Sequence, residues 1–147
     1  STHPGTVTGS HDLQVSADTT MNSLDVNAID ALIIPGGYPG YVHLSNSNAV
    51  IELLREAAAK EKYIAAICAG PLVLEQAGIL EGKRATCYPG MESGLKTATV
   101  SPEKVVVDGP IITSRGPGTS MEFALKLVEL LCGTAKVRQL RQSMVLD

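Results

Sequence analysis

The chain has 147 residues, 44% of them hydrophobic and 18% charged, and a formal net charge of −3. That length suits one domain with a substantial core, and the charge excludes the basic surface typical of nucleic-acid binding. No apolar run is long enough to cross a bilayer, and three cysteines without metal-ligand spacing favour a reducing compartment. We therefore expect a soluble, cytoplasmic protein with no metal site, no nucleic-acid partner and no membrane partner.

The first part of the chain alternates polar loops with short apolar elements. Residues 1–28 are mostly polar, and His11–Ser16 show the weak alternation of a strand. Ala31–Pro35 are predicted to form a buried strand that ends at a Pro-Gly-Gly breaker and leads into a loop. Ser47 or Asn48 then caps a helix. The apolar face of this helix comprises Val50, Leu53, Leu54, Ala57 and Ala58.

A sharp strand-to-helix turn is predicted at Cys68. Tyr63–Ile67 form an apolar run typical of a strand that is covered on both faces. Pro71 fits the first turn of the helix that follows, and Gly78 fits its end. The N–H groups at such a helix start favour a thiolate and can hold an oxyanion, which makes Cys68 a candidate nucleophile. The alternative is that Cys68 is a small buried hydrophobic side chain.

The second part of the chain continues the alternation. Asp108-Gly109 between two apolar runs predicts a β-hairpin, and Thr119 with Glu122 forms the pattern of a capping box. The predicted elements, in order, are a strand at Arg84–Tyr88, a loop over residues 91–104, the hairpin Val105–Thr113, a tight loop at Ser114–Gly118 and a helix that stops at Gly133.

Buried strands alternating with helices predict an α/β layered fold with a mainly parallel sheet. In such sheets, functional sites lie beyond the carboxyl ends of the strands. Three Gly-containing turns follow predicted strands and are expected to converge there: Pro35-Gly36-Gly37, Cys68-Ala69-Gly70 and Gly116-Pro117-Gly118.

Three motifs carry a resemblance to a known family: A-L-I-I-P-G-G, A-A-I-C-A-G-P and I-I-T-S-R-G-P-G-T-S-M-E-F-A-L. They resemble the ThiJ/PfpI superfamily, in the branch of the parkinsonism-associated protein deglycase, and the resemblance covers nearly the whole chain. Ala69 points to this branch, since the intracellular-protease branch typically has His there. The resemblance implies a flavodoxin-like (class I glutamine amidotransferase-like) sandwich, usually a homodimer, and activities that need no cofactor.

The resemblance also implies roles for individual residues. Cys68 is the nucleophile and an easily oxidised thiol. Gly36 and Gly37, with the amide of Ala69, are expected to line the oxyanion pocket, and Gly116 and Pro117 to form a neighbouring wall. Tyr88 matches the position at which many relatives carry a histidine proposed to carry a proton. A tyrosine, with a pKa of about 10, is a poor base near neutrality.

One family feature has no match here. Relatives begin with a strand–helix–strand unit that contributes a central strand and a glutamate hydrogen-bonded to the cysteine, and residues 1–29 do not resemble it. We therefore expect residues 1–147 to form a single ThiJ/PfpI-like domain without its first unit, completed by a separate N-terminal chain or by a homodimer partner.

Two functions of different class follow for Cys68. One is a cofactor-free, cysteine-dependent enzyme, glyoxalase- or deglycase-like, that acts on α-oxoaldehydes such as methylglyoxal or on glycated protein side chains. The other is an oxidative-stress sensor or chaperone switched by oxidation of Cys68. A cysteine peptidase is a distant third, because no histidine adjoins Cys68.

Structural interpretations are preferred for the other reactive or charged side chains. We expect Cys87 to be a structural rather than a resolving thiol, and Cys132 to lie in the core. Arg115 suits either an anion or loop carbonyl groups. The remaining expectations are solvated carboxylates at Glu75 and Glu81, an interface role for His11, and no catalytic role for His3 or His43.

Overall fold

The computed structural model describes residues 1–9 and 11–146. The strands are β1 (Thr6–Thr8), β2 (Gln14–Ser16), β3 (Ala31–Ile34), β4 (Tyr63–Ile67), β5 (Arg84–Ala85), β6 (Thr99–Val100), β7 (Val105–Asp108) and β8 (Ile111–Ser114). The α-helices are α1 (Gly40–Ser45), α2 (Asn48–Ala59), α3 (Pro71–Gln76), α4 (Ser120–Cys132) and α5 (Thr134–Ser143). None of these described helices is both long and apolar enough to cross a lipid bilayer.

A four-stranded sheet in the order β3-β4-β8-β7 forms the centre of the fold. β4 pairs in parallel with both β3 and β8, whereas β7 and β8 form the antiparallel hairpin predicted around Asp108-Gly109. The mainly parallel α/β sheet that the sequence predicts is therefore confirmed. Two small sheets, the β1–β2 hairpin and the parallel β5–β6 pair, share no strand with it, although β5 contacts β7 and β8.

Helices cover the two faces of this sheet unequally. On one face, the apolar sides of α2 and α3 pack on alternate strand residues. The shared core there includes Ile34, Val50, Leu54, Ile64, Ala66, Val73 and Leu74. On the other face, Phe123 and Leu127 of α4 pack against Ala65 and Ile112, which are fully buried. The alternation of inward and outward side chains along β4 therefore serves two separate cores.

Four local predictions from the sequence are wrong. α1 occupies part of the predicted loop after Pro39, and the predicted strand at Arg84–Tyr88 is limited to β5. Residues 91–104 are not all loop, because they contain a 3₁₀ turn and β6. The proposed capping box fails as well: Thr119 makes no side-chain bond that caps α4, and Glu122 instead pairs with Lys104 at 2.7 Å. α5 was not predicted at all.

Candidate active site

Cys68 lies on a sharp turn between the end of β4 and the start of α3. Its φ is +64°, a left-handed conformation that is uncommon for a residue other than glycine. The turn is tight, because the N–H of Gly70 already donates to the carbonyl of Ile67 at 2.9 Å. Pro71 then starts the helix, as predicted. This strained strand–cysteine–helix turn is the backbone arrangement of a nucleophile elbow.

Two backbone hydrogen bonds fix Cys68 in this conformation. Its N–H donates to the carbonyl of Ser114 at the end of β8, and its own carbonyl accepts from the N–H of Tyr88, both at 2.9 Å. The residue is half-buried, so its thiol is not enclosed in the core. The elbow is therefore held from both sides while the side chain stays accessible.

Gly36 lies directly against the elbow. A Cβ added to Gly36 would come within 2.7 Å of both the Cβ of Cys68 and the backbone N of Ala69. Such distances are too short for real Cβ atoms, so the close approach depends on glycine. Gly37 follows with φ +91° and open space around it. Two of the three predicted turns therefore meet at Cys68, and the N–H of Ala69 lies between them.

The third turn reaches the elbow through Tyr88. A Cβ added to Gly116 would lie 3.2 Å from the ring of Tyr88, whose backbone N–H holds the carbonyl of Cys68. A cavity of about 420 Å³ opens on this side. It is lined by Tyr88, Pro89, Lys104, Arg115, Gly116, Pro117, Gly118 and Thr119. Gly116 and Pro117 thus border a cavity together with Tyr88, and Cys68 is not among the residues that line it.

Buried hydroxyl groups hold the wall of Gly116 and Pro117 in place, and they were not predicted from the sequence. The Oγ1 of Thr113 accepts from the N–H of Thr86 at 2.9 Å and ties the segment before Tyr88 to β8. The Oγ of Ser114 donates to the carbonyl of Lys104 at 2.8 Å and lies 2.7 Å from the Oγ1 of Thr119. The signal available in the sequence was the position of these hydroxyl groups beside the Ser-Arg-Gly-Pro-Gly turn, because hydroxyl groups buried at the end of a strand need hydrogen-bond partners.

The charged residues near the site are engaged with the protein itself. Arg115 donates to the carbonyl of Pro102 at 3.3 Å and lies 3.9 Å from the carboxylate of Glu92. This arrangement favours the structural interpretation of Arg115 over anion binding. Among the described residues, the thiol of Cys68 has no hydrogen bond to a histidine or a carboxylate.

The three cysteines lie in different environments. Cys87 is 1% exposed, and burial, together with the nearby carboxylate of Glu92, raises the pKa of its thiol to about 11. An inert, structural thiol fits this environment, whereas a resolving thiol would need to ionise. Cys132 is exposed at the end of α4, so the prediction that it lies in the core is wrong. Cys132 lies on the side of α4 opposite the core residue Phe123, because the two are nine residues apart in the helix.

The acidic and histidine candidates differ in their surroundings. Glu75 was expected to be solvated, but its Oε1 accepts from the N–H of Thr97 at 2.9 Å and its Oε2 is buried. His3 and His43 line another cavity beside β3, which also reaches Pro35 and Gly36. His11 is exposed, and its expected interface role remains a prediction.

Comparisons with known proteins agree with this geometry. The profile of the DJ-1/PfpI family matches residues 1–130. A deglycase of Pyrococcus abyssi is 35% identical over 130 residues, covering 86% of this chain and 77% of the relative. Protein DJ-1 homolog B of Arabidopsis thaliana is 40% identical over 138 residues, covering 93% of this chain but 32% of the relative. The chain thus spans about a third of the length of the Arabidopsis protein. The crystal structure of Drosophila melanogaster DJ-1beta has a TM-score of 0.92 and 38% identity, covering 97% of this chain and 77% of its own.

Proposed function

The chain belongs to the DJ-1/PfpI family, and from this membership we propose that it is a cofactor-independent, cysteine-dependent enzyme acting on α-oxoaldehydes such as methylglyoxal or on early glycation adducts. A relative that is 35% identical is named a deglycase, which supports this class of substrate. The flavodoxin-like α/β fold predicted from the motifs is shared with the Drosophila structure. The proposed activity is more specific than what family membership alone implies.

The observation that carries the proposal is the elbow at Cys68. A half-buried thiol with φ +64° stands at the end of the central strand, against the N–H of Ala69 and the close-packed Gly36. Nucleophiles held on such turns present their reactive atom to a cavity while nearby amides face the developing oxyanion. A purely structural cysteine has no need of a left-handed backbone.

The proposed reaction is redox-neutral for the protein. The thiolate of Cys68 adds to the aldehyde carbon of methylglyoxal, and the resulting oxyanion is held by the N–H of Ala69. The aldehyde C–H is then lost as a proton and a proton is returned to the neighbouring carbon, which leaves a thioester of lactate. Water cleaves this thioester and regenerates the thiol, so one methylglyoxal and one water give one lactic acid.

Proton transfer is the slow part of this scheme. It requires a base, and the hydroxyl of a tyrosine such as Tyr88 is a poor base near neutrality. Its hydroxyl suits a hydrogen bond to the second carbonyl oxygen of the substrate. We expect turnover by residues 1–147 to be slow for this reason.

Lactate release from carbon-13-labelled methylglyoxal, followed by NMR, tests the proposal. The unmodified chain is expected to release lactate, and Cys68→Ser to lose at least nine-tenths of the rate. Cys132→Ser is the matched control, because this exposed thiol lies in a cavity with Lys62 and Tyr63, at the opposite end of β4 from Cys68. Equal rates for Cys68→Ser and the unmodified chain contradict the proposal.

A redox role for Cys68 is the second candidate. Such a role needs no general base, and among the described residues no base is hydrogen-bonded to the sulfur of Cys68. In that role the thiolate attacks peroxide, the O–O bond breaks, hydroxide leaves and Cys68 becomes a sulfenic acid. The amide of Ala69 suits the new oxygen. Gain of oxygen on Cys68 under mild peroxide, without lactate release from methylglyoxal, favours the sensor over the enzyme.

A further inference from the structure

Two of the five aromatic side chains in this chain are exposed, and both belong to segments that contact the candidate nucleophile. The chain has four tyrosines, one phenylalanine and no tryptophan. Tyr41, Tyr63 and Phe123 pack in the two hydrophobic cores. Tyr38 and Tyr88 are instead 77% and 45% exposed. The exposed aromatic rings are therefore found beside the elbow, one in the turn after β3 and the other in the loop after β5.

The backbone of Tyr38 is held close to the elbow. Tyr38 follows Gly36 by two residues, and a Cβ added to Gly36 would lie 2.7 Å from the Cβ of Cys68. Two residues span at most about 7 Å, a distance that a tyrosine side chain can bridge. The N–H of Tyr41 donates to the carbonyl of Gly37 at 2.9 Å, and α1, which starts directly after this turn, packs on α3. Tyr38 is thus fixed to the same assembly that carries the thiol.

The ring of Tyr38 is available to a ligand, whereas that of Tyr88 already has a neighbour in the protein. Tyr88 packs on Gly116, where an added Cβ would lie 3.2 Å from its ring. Tyr38 belongs to neither core, and nothing lies within 4 Å of the Cβ position of Gly37 beside it. Ligand sites are typically lined by aromatic side chains whose rings pack on the ligand. Tyr38 therefore has the exposure and the position of a ligand-contacting side chain.

The charge of the surroundings indicates which group stacks on this ring. A tyrosine ring packs well on a cation, such as a guanidinium, or on another aromatic ring. Among the described residues, the cavity at Tyr88 is lined by the cations of Lys104 and Arg115 and by no carboxylate. A second cation is repelled beside these two groups, whereas a neutral aromatic ring is not. The neutral aromatic group is therefore favoured.

We propose that Tyr38 is a specificity-determining residue that stacks on an aromatic substituent of the substrate, so that the site prefers aryl α-oxoaldehydes to alkyl ones. The inference rests on the proposed function and adds the nature of the group on the ketone carbon. The aldehyde carbon meets the thiol of Cys68, and the aryl group, one bond beyond the second carbonyl, packs on Tyr38. The overall reaction is unchanged: one arylglyoxal and one water give one aryl-substituted 2-hydroxy acid.

Phenylglyoxal and cyclohexylglyoxal are the probes, because their rings have the same number of carbons but only the phenyl ring is planar and aromatic. Tyr38→Ala is expected to lower the ratio of kcat/KM for phenylglyoxal to that for cyclohexylglyoxal at least fivefold, mainly by raising KM for phenylglyoxal. Tyr38→Phe keeps the ring and should keep the ratio. Val145→Ala, which truncates a side chain that is 89% exposed in the C-terminal segment, is the control and should also keep it. An unchanged ratio in Tyr38→Ala overturns the inference, and so does an equal rise in KM for both probes.

A second measurement needs no turnover. Mandelate and hexahydromandelate, the products expected from the two probes, are titrated by NMR into the Cys68→Ser chain. Mandelate is expected to bind at least fivefold more tightly, and Tyr38→Ala in the same background should abolish the difference. A chain that turns over neither probe contradicts the proposed function, and this binding measurement then decides on Tyr38 by itself. Equal binding of the two acids to the chain with Tyr38 intact overturns the inference, so misfolding of a Tyr38 variant does not protect it.

Discussion

Gly36 touches the elbow of Cys68 so closely that no larger residue fits between them. A Cβ on Gly36 would lie 2.7 Å from the Cβ of Cys68 and 2.9 Å from the carbonyl oxygen of Ile67. The contact joins the turn after β3 to the turn after β4, which are thirty or more residues apart in the chain. The position of the thiol therefore depends on a glycine in another element.

Gly36→Ala is expected to displace the elbow. Because the clash is with backbone and not with a flexible side chain, we expect the free energy of unfolding to fall by about 1–3 kcal/mol and alkylation of Cys68 to change in rate. Gly40→Ala is the matched control, since nothing lies within 4 Å of its Cβ position and it starts α1. Urea unfolding of both variants checks this, and equal stabilities would show that the close contact is not a constraint.

Cys87 is expected to resist alkylation. With a thiol pKa of about 11 and 1% exposure, about one Cys87 in a thousand is ionised at pH 8. Iodoacetamide followed by peptide mass analysis should label Cys132 and Cys68 well before Cys87. Labelling of Cys87 at the rate of Cys132 in the folded chain would contradict its assigned environment.

The same thiol makes stability depend on alkaline pH. Burial, and then the carboxylate of Glu92, raise the pKa of Cys87 from 9.0 to about 11. Between these values the unfolded chain releases the Cys87 proton and the folded chain keeps it, so unfolding becomes easier as pH rises. The stabilisation is complete below pH 9 and is lost towards pH 11, by at most about 2–3 kcal/mol. Cys87→Ala should lack this component of the pH dependence, and an identical decline in the variant would assign it to other groups.

Tyr88→His is expected to raise the rate of lactate formation. A histidine at this position supplies a base with a pKa of about 6.5 beside the elbow, and general-base catalysis is typically worth about a hundredfold or more. The rate should then rise with pH through about 6.5. Tyr88→Phe keeps the ring that packs on Gly116 but removes the hydroxyl, and is the control. If His and Phe variants have the same rate and pH profile, Tyr88 does not face the reacting atoms.

More of the Cys68 site than of the structure around it could be predicted from the sequence, for a physical reason. The Cys68 turn can be predicted from a strand that is followed in sequence by a cysteine, two small residues and a proline, because each of these features has a local backbone preference. The approach of Gly36 to this turn was also predicted, since parallel strands end at the same edge, whereas the place of Tyr88 near the cysteine was predicted only from the family resemblance. The anchoring of Thr86 on Thr113 could not be predicted, because it joins side chain and backbone across two elements.

Where prediction failed, local signals were weak or misleading. α1 has six residues, and its N-cap is Pro39, whose side chain makes no capping hydrogen bond. The sequence therefore carries no signal for the start of this helix. Thr119 and Glu122 have the spacing of a capping box, but Thr119 bonds both the N–H and the carbonyl of Gly116 instead. Tertiary partners outcompeted the local pattern in this loop.

The most direct test of the account is whether methylglyoxal reaches Cys68 as its first point of attack. Iodoacetamide labelling of Cys68 and Cys132 should be followed in the same sample, with methylglyoxal at concentrations too low to shield an ordinary exposed thiol. We predict that labelling of Cys68 slows at least fivefold while labelling of Cys132 is unchanged. Equal labelling of Cys68 with and without methylglyoxal would contradict the assignment of Cys68 as the nucleophile.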